Sequence, residues 1–429
     1  MNTLQRVAIV GGNRIPFARS NTVYATSSNQ DMLTAALQGL VDRFDLHGLR
    51  LGEVAAGAVM KHARDFNLVR ESVLSTTLSR ETPAYDLQQA CGTGLEATIL
   101  VANKIALGQI ECGIAGGVDT TSDAPIGLND RLRTTLLELN RTKSMWRRLS
   151  AASRLRPGQF FQPELPRNVE PRTGLSMGEH AELMAQAWGI TRAEQDALAW
   201  RSHHQLAQAY EQGFFTDLMT PFQGARRDNN LRPDLTLDQL SSLKPVFDRR
   251  VAPGLGTLTA GNSTPLTDGA SAVLLASPAW AAARNLPVLA YLTCCEVAAV
   301  DFLDQREGLL MAPAYAVPRM LVRAGLRLQD FDYYEIHEAF AAQVLSTLKA
   351  WEDATYCRER LGLPEPLGPI DRQRVNVNGS SLATGHPFAA TGARIVASLA
   401  KTLAQRGQGR GLISICAAGG QGVVAIVER

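Results

Sequence analysis

Four short segments carry residues able to do chemistry. In Asp86-Leu-Gln-Gln-Ala-Cys-Gly-Thr-Gly-Leu-Glu-Ala97 a cysteine stands where an extended stretch gives way to a helix with an apolar face of Leu95, Ile99 and Ile105. Free backbone N–H groups and the positive dipole end of a helix start favour a thiolate and lower its pKa, so Cys91 is placed to attack a thioester. Gly92 and Gly94 let a ligand approach the backbone, and the N–H of Cys91 can serve an oxyanion. Taken alone, the segment reads equally well as a buried structural cysteine.

The second segment, Asn376-Val-Asn-Gly-Ser-Ser-Leu-Ala-Thr-Gly-His-Pro-Phe-Ala-Ala-Thr-Gly-Ala-Arg394, holds His386 just before Pro387, a residue suited to the first position of a helix. An imidazole at such a corner can take a thiol proton and return it to a leaving group, or it can simply cap the helix. In the third, Gly411-Leu-Ile-Ser-Ile-Cys-Ala-Ala-Gly-Gly-Gln-Gly422, Cys416 ends a buried strand and enters a glycine-rich turn. A thiol there can act as acid or base toward a carbon acid, since its reference pKa of about 8.5 can be tuned. It also fits a plain core position. The fourth, Glu335-Ile-His-Glu-Ala-Phe-Ala-Ala-Gln343, has the His-Glu of a metalloprotease motif, but Ala341 stands where the second histidine would be, so no metal site is expected. His337 can instead orient a water or hydrogen-bond a carbonyl oxygen.

The elements that position these residues alternate. Val7–Val10, Glu53–Met60, Cys112–Ala115, Leu412–Ile415 and Val423–Val427 read as buried strands, with helical patterns such as Asp31–Phe44 between them, which makes the class α/β. The two ends of the chain resemble each other. A helix over Met32–Asp42 leads through Leu49-Arg-Leu-Gly to a strand at Glu53, and a helix over Tyr315–Ala324 leads through Leu326-Arg-Leu-Gln to a strand at Tyr333. Each half then sets a glycine-flanked reactive residue, Cys91 or His386, at a helix start and follows it with a Gly-Gly strand segment, Ala115-Gly-Gly117 or Ala418-Gly-Gly420. Two such halves facing each other bring the four segments to one centre. Residues 129–253 differ in composition, being rich in Pro, Arg and polar residues, and read as an insert. Within it Arg141–Arg156 carries six basic and no acidic residues interleaved with Met145, Trp146, Leu149 and Leu155: a solvated amphipathic helix, a cradle for ligand phosphates, or a docking surface for a partner or an anionic membrane.

Bulk properties fit a multi-lobed enzyme. The 429 residues are 45% hydrophobic, enough for more than one core, and the net charge of +2 gives no reason to expect nucleic acid. Six irregularly spaced cysteines suit reduced thiols in a cytoplasmic setting rather than a disulfide framework. The adjacent pair Cys294 and Cys295 is expected in the core, and His203 and His204 on the surface. No signal-peptide core or apolar run of membrane-spanning length is present, and neither a Walker loop nor a dinucleotide fingerprint occurs.

In this order, the motifs resemble the thiolase superfamily from Arg6-Val-Ala-Ile-Val-Gly-Gly-Asn-Arg-Ile-Pro-Phe17 to the last strand. Asp119-Thr-Thr-Ser, Met177-Gly-Glu-His-Ala-Glu182, Asn262-Ser-Thr-Pro-Leu-Thr-Asp-Gly269, His337-Glu-Ala-Phe and Gly385-His-Pro-Phe-Ala-Ala-Thr-Gly392 are most similar to the 3-ketoacyl-CoA thiolase (acetyl-CoA C-acyltransferase) subunits of bacterial and mitochondrial fatty-acid oxidation complexes. The resemblance implies a five-layered thiolase-like fold of two similar α/β halves. Residues 1–128, completed by about 254–282, would form the first half, 129–253 an inserted loop domain over the CoA site, and 283–429 the second half. It implies Cys91 as the acyl-carrying nucleophile, His386 as its activator, Cys416 as the acid or base at the α-carbon, and His337, through a held water and with His386, as support for the enolate oxygen. Backbone N–H groups near Cys91 and Ala418 would hold the tetrahedral oxyanion. Met177, Thr264 and Phe340 match positions lining the pantetheine channel. CoA and acyl-CoA are then substrates, with no further cofactor; a homodimer or homotetramer, and a hydratase/dehydrogenase partner of a β-oxidation complex, are implied as assemblies. Thr93 replaces the family's usual serine and keeps the hydroxyl; Ala418 replaces the usual glycine and keeps the N–H. Two other readings stand beside this one: a ketoacyl-synthase-type condensing enzyme, against which Cys416 speaks, and a scaffold or binding subunit of a β-oxidation assembly.

Overall fold

A computed structural model describes residues 4–429. Its strands are β1 (Val7–Arg14), β2 (Ala18–Arg19), β3 (Glu53–Ala56), β4 (Ala84–Asp86), β5 (Cys112–Asp119), β6 (Thr267–Ala276), β7 (Ala290–Ala299), β8 (Tyr333–Ile336), β9 (Arg410–Ala417) and β10 (Gln421–Glu428). β1, β5 and β6 are buried along their whole length, and their apolar and glycine stretches Val7–Gly12, Cys112–Val118 and Ala272–Ala276 accordingly run without polar alternation.

The pairing pattern repeats. In the first half β1 lies antiparallel to β6, β6 antiparallel to β5, and β5 parallel to β3, which is parallel to β4. In the second, β7 lies antiparallel to β10, β10 antiparallel to β9, and β9 parallel to β8. A single parallel bridge from Tyr334 to Val375 takes the place of β4. β1 and β7 join the halves over Val7–Ile9. Three apolar clusters define the layers. One packs the helices Asn29–Arg43 and Leu68–Leu74 on the outer face of the first half, and another packs Ala312–Ala324 and Ala341–Glu352 on the outer face of the second. The third lies between the two inner faces and encloses the helices Thr93–Ala106 and Thr391–Arg406. The order helix, sheet, paired helices, sheet, helix makes five layers.

The central pair of helices matters most for the site. Gly94 meets the Ala389 carbonyl and Gly392 meets the Leu95 backbone so closely that an added Cβ would lie 2.6 Å and 2.1 Å away. Glycine in a helix costs about 1 kcal/mol relative to alanine. Each aliphatic side chain buried around the crossing, such as Leu95, Ile395 and Leu399, contributes about 1.5–3 kcal/mol, so the close approach is retained.

Several local expectations need correction. The strand at Glu53 ends at Ala56 rather than Met60, because the Val59 and Met60 N–H groups leave the ladder and donate to the Asp119 carboxylate. Pro387 does not open the long helix: a 3₁₀ turn over Phe388–Ala390 intervenes before Thr391. His203 is buried, not exposed, on a 20-residue helix (Arg192–Glu211), where its Nδ1 accepts the Arg232 N–H at 3.1 Å. Cys294 and Cys295 are half-buried on β7 rather than core residues. Arg141–Arg156 is not one helix; Arg141 ends the helix Asp130–Arg141, and a second, Met145–Ala152, folds beside it with Arg154 paired to Glu138 at 2.5 Å. Met145, Trp146 and Leu149 on the second helix are exposed. The insert is anchored to the first half by buried Arg14, which holds Asp228 through two bonds of 2.5 and 2.7 Å, with the Tyr210 hydroxyl on the same carboxylate.

Candidate active site

Cys91 sits on a turn built to present it. Ala90 just before it is held at φ +46°, a left-handed conformation uncommon for a residue with a Cβ. Thr93 stitches that turn: its hydroxyl donates to the Ala90 carbonyl at 2.7 Å and accepts the Gln89 N–H at 2.8 Å. The hydroxyl retained at position 93 thus fixes the nucleophile's backbone.

His386 is held by the opposite half of the molecule. Its backbone N–H donates to Thr267 Oγ1 at 3.1 Å, and the Ala389 N–H donates to Asp119 Oδ2 at 2.9 Å, so the ends of β5 and β6 grip the turn that carries it. Its Nδ1 lies 2.6 Å from Thr391 Oγ1 and its Nε2 3.1 Å from Cys91 Sγ. In return the second half supplies the Ala418 N–H, which, with the N–H of Cys91 itself, acts on the Cys91 sulfur and favours its thiolate. Gly419, the next residue, donates its N–H to Glu170 Oε1 at 2.6 Å, which ties the insert to this turn.

His337 follows β8, wholly buried, with its ring 4.1 Å from that of His386 centroid to centroid. Its Nδ1 lies 2.8 Å from Ser381 Oγ, which Arg394 also contacts. Glu338 beside it is a structural group: its carboxylate accepts from Ser202, Asn376 and the Leu382 N–H. Cys416 is buried and close enough to Cys91 for a charge on the Cys91 sulfur to oppose its ionisation.

Electrostatically this is a neutral site. Burial outweighs the backbone donors and pushes the Cys91 thiol up to about 12, contrary to the lowered pKa expected from a helix start. Burial, and then the positive charge of Arg394, push His386 down to about 3. His337 is lowered by burial, His386 and Arg394, and Cys416 is raised by burial and Cys91. The resting pair is thiol and imidazole, and proton transfer across 3.1 Å must accompany attack on a substrate. The ligand-capable atoms of Cys91, His337 and His386 lie within 4.8 Å of one another. The 3.1 Å separation of sulfur and nitrogen is that of a hydrogen bond, shorter than the roughly 3.5 Å between ligands that tetrahedral zinc bond lengths imply.

Met177 and Phe340 belong to the apolar cluster of the second half, together with Phe247, which the sequence did not single out. Phe247 meets Phe340 edge-on at 5.9 Å and packs so closely on Gly178 that a Cβ there would lie 2.3 Å from its ring. Thr264 donates through both N–H and Oγ1 to the Ala339 carbonyl, at 3.1 and 3.0 Å. Thr391, Thr267, Ser381, Arg394 and Glu170 were also missed. The first four lie inside or beside quoted motifs, but hydroxyls and a helical arginine carry no chemical signature until their neighbours are known.

A half-buried thiol paired with an imidazole, a second imidazole beside them and a second, buried thiol close by, all on a duplicated α/β fold, define a covalent acyltransferase. The sequence matches the family models "Thiolase, N-terminal domain" over residues 7–279 and "Thiolase, C-terminal domain" over 286–429. The chain belongs to the thiolase family and is an enzyme of the thiolase/acyltransferase class. It is 41% identical to a 3-ketoacyl-CoA thiolase of Yersinia pestis (strain Pestoides F) over an alignment of 429 residues, spanning 99% of this chain and 97% of the relative. Its fold matches the crystal structure of the Bacillus anthracis acetyl-CoA acetyltransferase with a TM-score of 0.81 and 30% identity, over 100% of both chains. It also matches human mitochondrial 3-ketoacyl-CoA thiolase in complex with CoA, with a TM-score of 0.81 and 27% identity, over 100% of this chain and 99% of the other. No helix among the described residues is long and apolar enough to cross a membrane.

Proposed function

We propose that this chain is a 3-ketoacyl-CoA thiolase that cleaves 3-ketoacyl-CoA with CoA to acetyl-CoA and an acyl-CoA two carbons shorter, or runs the reverse condensation. The observation that carries the reading is the 3.1 Å contact of Cys91 Sγ with His386 Nε2, with His337 and Cys416 beside it. His386 takes the Cys91 proton as the sulfur attacks the C3 ketone, and the Cys91 and Ala418 N–H groups hold the developing oxyanion. The C2–C3 bond breaks, leaving an acyl group on Cys91 and the enolate of acetyl-CoA, whose oxygen His337 supports. Cys416 gives its proton to C2, and acetyl-CoA departs. The thiol of CoA then attacks acyl-Cys91; its proton restores Cys416, the shortened acyl-CoA leaves, and His386 returns its proton to Cys91. Met177, Thr264 and Phe340, with Phe247 packed behind Phe340, are read as one wall of the channel for the pantetheine arm. Residues 129–253 are read as the cover over that site, with the halves bounded at about 1–128 plus 254–282 and 283–429.

The same reading places the enzyme in the cytoplasm as a homodimer or homotetramer. The exposed Met145, Trp146 and Leu149 among arginines favour a docking role toward a hydratase/dehydrogenase subunit, which co-purification tests. Thiolysis rates over a series of 3-ketoacyl-CoA chain lengths, with malonyl-CoA as the contrasting substrate, test the activity. Acetyl-CoA release that requires free CoA supports it; malonyl-CoA-dependent condensation without thiolysis would replace it with a decarboxylating enzyme.

A further inference from the structure

The two ring nitrogens of His337 have unlike surroundings. Nδ1 lies 2.8 Å from Ser381 Oγ, while Nε2 has no hydrogen-bond partner in the protein among the described residues. The ring packs 4.1 Å from that of His386, centroid to centroid, and one of its nitrogens lies within 4.8 Å of the ligand-capable atoms of Cys91 and His386. Ser381 Oγ has one other partner among those residues, the Arg394 guanidinium at 2.9 Å. A guanidinium carries donors only, so the Arg394 N–H occupies one lone pair of the hydroxyl. The hydroxyl hydrogen then has a single acceptor in place, His337 Nδ1. Were Nδ1 protonated, it would fill the second lone pair, and the hydroxyl hydrogen would be left in the interior without an acceptor, which buried polar groups rarely tolerate.

We infer that Arg394 and Ser381 are positioning residues that lock His337 in its Nε2–H tautomer, making it a fixed, neutral hydrogen-bond donor aimed into the acyl-transfer pocket. This rests on the thiolase reading of that pocket and supplies a structural cause for the division of labour between the histidines. A ring whose Nε2 holds a proton cannot take one from Cys91, so His386 alone is the base and His337 serves a substrate oxygen. Arg394 is well placed for this task. It rises from the helix Thr391–Arg406, is 3% exposed, and has the carboxyl groups of Glu335 and Glu338 nearby. The same cation opposes protonation of His337, so the ring keeps its lone donor.

Nitrogen-15 NMR of histidine-labelled enzyme tests the lock directly, because two-bond correlations distinguish protonated from bare ring nitrogens, and His337→Asn assigns the signal. Wild-type enzyme is expected to show a protonated Nε2 and a bare Nδ1 on His337. In Ser381→Ala the two tautomers should mix, and kcat for thiolysis should fall about tenfold, less than the roughly 100-fold or more lost when an oxyanion donor is removed outright, because the donor is mispositioned for part of the time rather than absent. Ser381→Thr, which keeps the hydroxyl, should retain the wild-type tautomer and most of the rate. A protonated Nδ1 in the wild type, or an unchanged tautomer in Ser381→Ala, would overturn the lock. Failure of the thiolase reading would look different: no acyl transfer to Cys91 in wild-type enzyme, whatever the tautomer.

Discussion

The contact between Cys91 and His386 depends on how closely the two central helices approach. A Cβ on Gly392 would lie 2.1 Å from the Leu95 nitrogen and 2.7 Å from the Gly94 carbonyl carbon, both backbone atoms that cannot rotate away. Ordinary contact starts at 3.4 Å, so Gly392→Ala must move one helix start from the other by about 1.3 Å, the difference between 2.1 and 3.4 Å, in an interior too dense to absorb it. Passed to the catalytic pair, which lies 3.1 Å apart on the turns leading into those two helices, the shift breaks the hydrogen bond. A misplacement of about 1 Å costs on the order of 100-fold in rate, or about 2.7 kcal/mol of transition-state stabilisation. Overpacking adds about 1–3 kcal/mol of lost stability. We therefore expect acylation of Cys91 in a single-turnover quench experiment to slow about 100-fold in the fraction that urea unfolding shows to be folded. Gly158→Ala, where an added Cβ meets nothing within 4 Å, is the control and should match wild type. A Gly392→Ala enzyme that is as stable as wild type and acylates within about twofold of its rate would refute the idea that this crossing sets the geometry.

Two further outcomes follow from particular contacts. Glu170→Ala removes the acceptor of the Gly419 N–H and loosens the turn that aims the Ala418 amide at Cys91, so acylation should slow about tenfold while Glu170→Gln keeps most of the rate; equal rates in all three enzymes would dismiss a role for the insert here. For His386, lowered from 6.5 to about 3, the unfolded chain binds the extra proton between those values, so the stability is fully present above pH 6.5 and is lost as pH falls toward 3. By pH 4 that loss is about 3 kcal/mol, and urea unfolding should show wild type losing more stability than His386→Asn between pH 7 and 4; parallel losses would contradict the buried neutral imidazole.

Much of this was legible in the sequence because the chemistry sits on sharp local signals. Cys91 and His386 are each flanked by a glycine at an element boundary, Cys416 ends a strand just before a glycine-rich turn, and the repeated order of elements announced two halves that bring them together. What could not be read was set by packing. The thiol pKa follows from burial rather than from the helix start, and burial of the site depends on the whole five-layered arrangement. His203 looked exposed in a polar helix because its cover, the loop around Arg232, is 29 residues away. Ser381 and Arg394 lay in a quoted motif without a role, because a tautomer is fixed by a chain of contacts that joins the His337 loop to the motif.

The central claim is that Cys91 carries the acyl group. Enzyme mixed with a 3-ketoacyl-CoA in the absence of free CoA, quenched in acid and digested for mass spectrometry, should yield the acyl mass on the peptide containing Cys91, with none in Cys91→Ala and retention in Cys416→Ser. An acyl adduct found on Cys416, or one that persists in Cys91→Ala, would contradict the account.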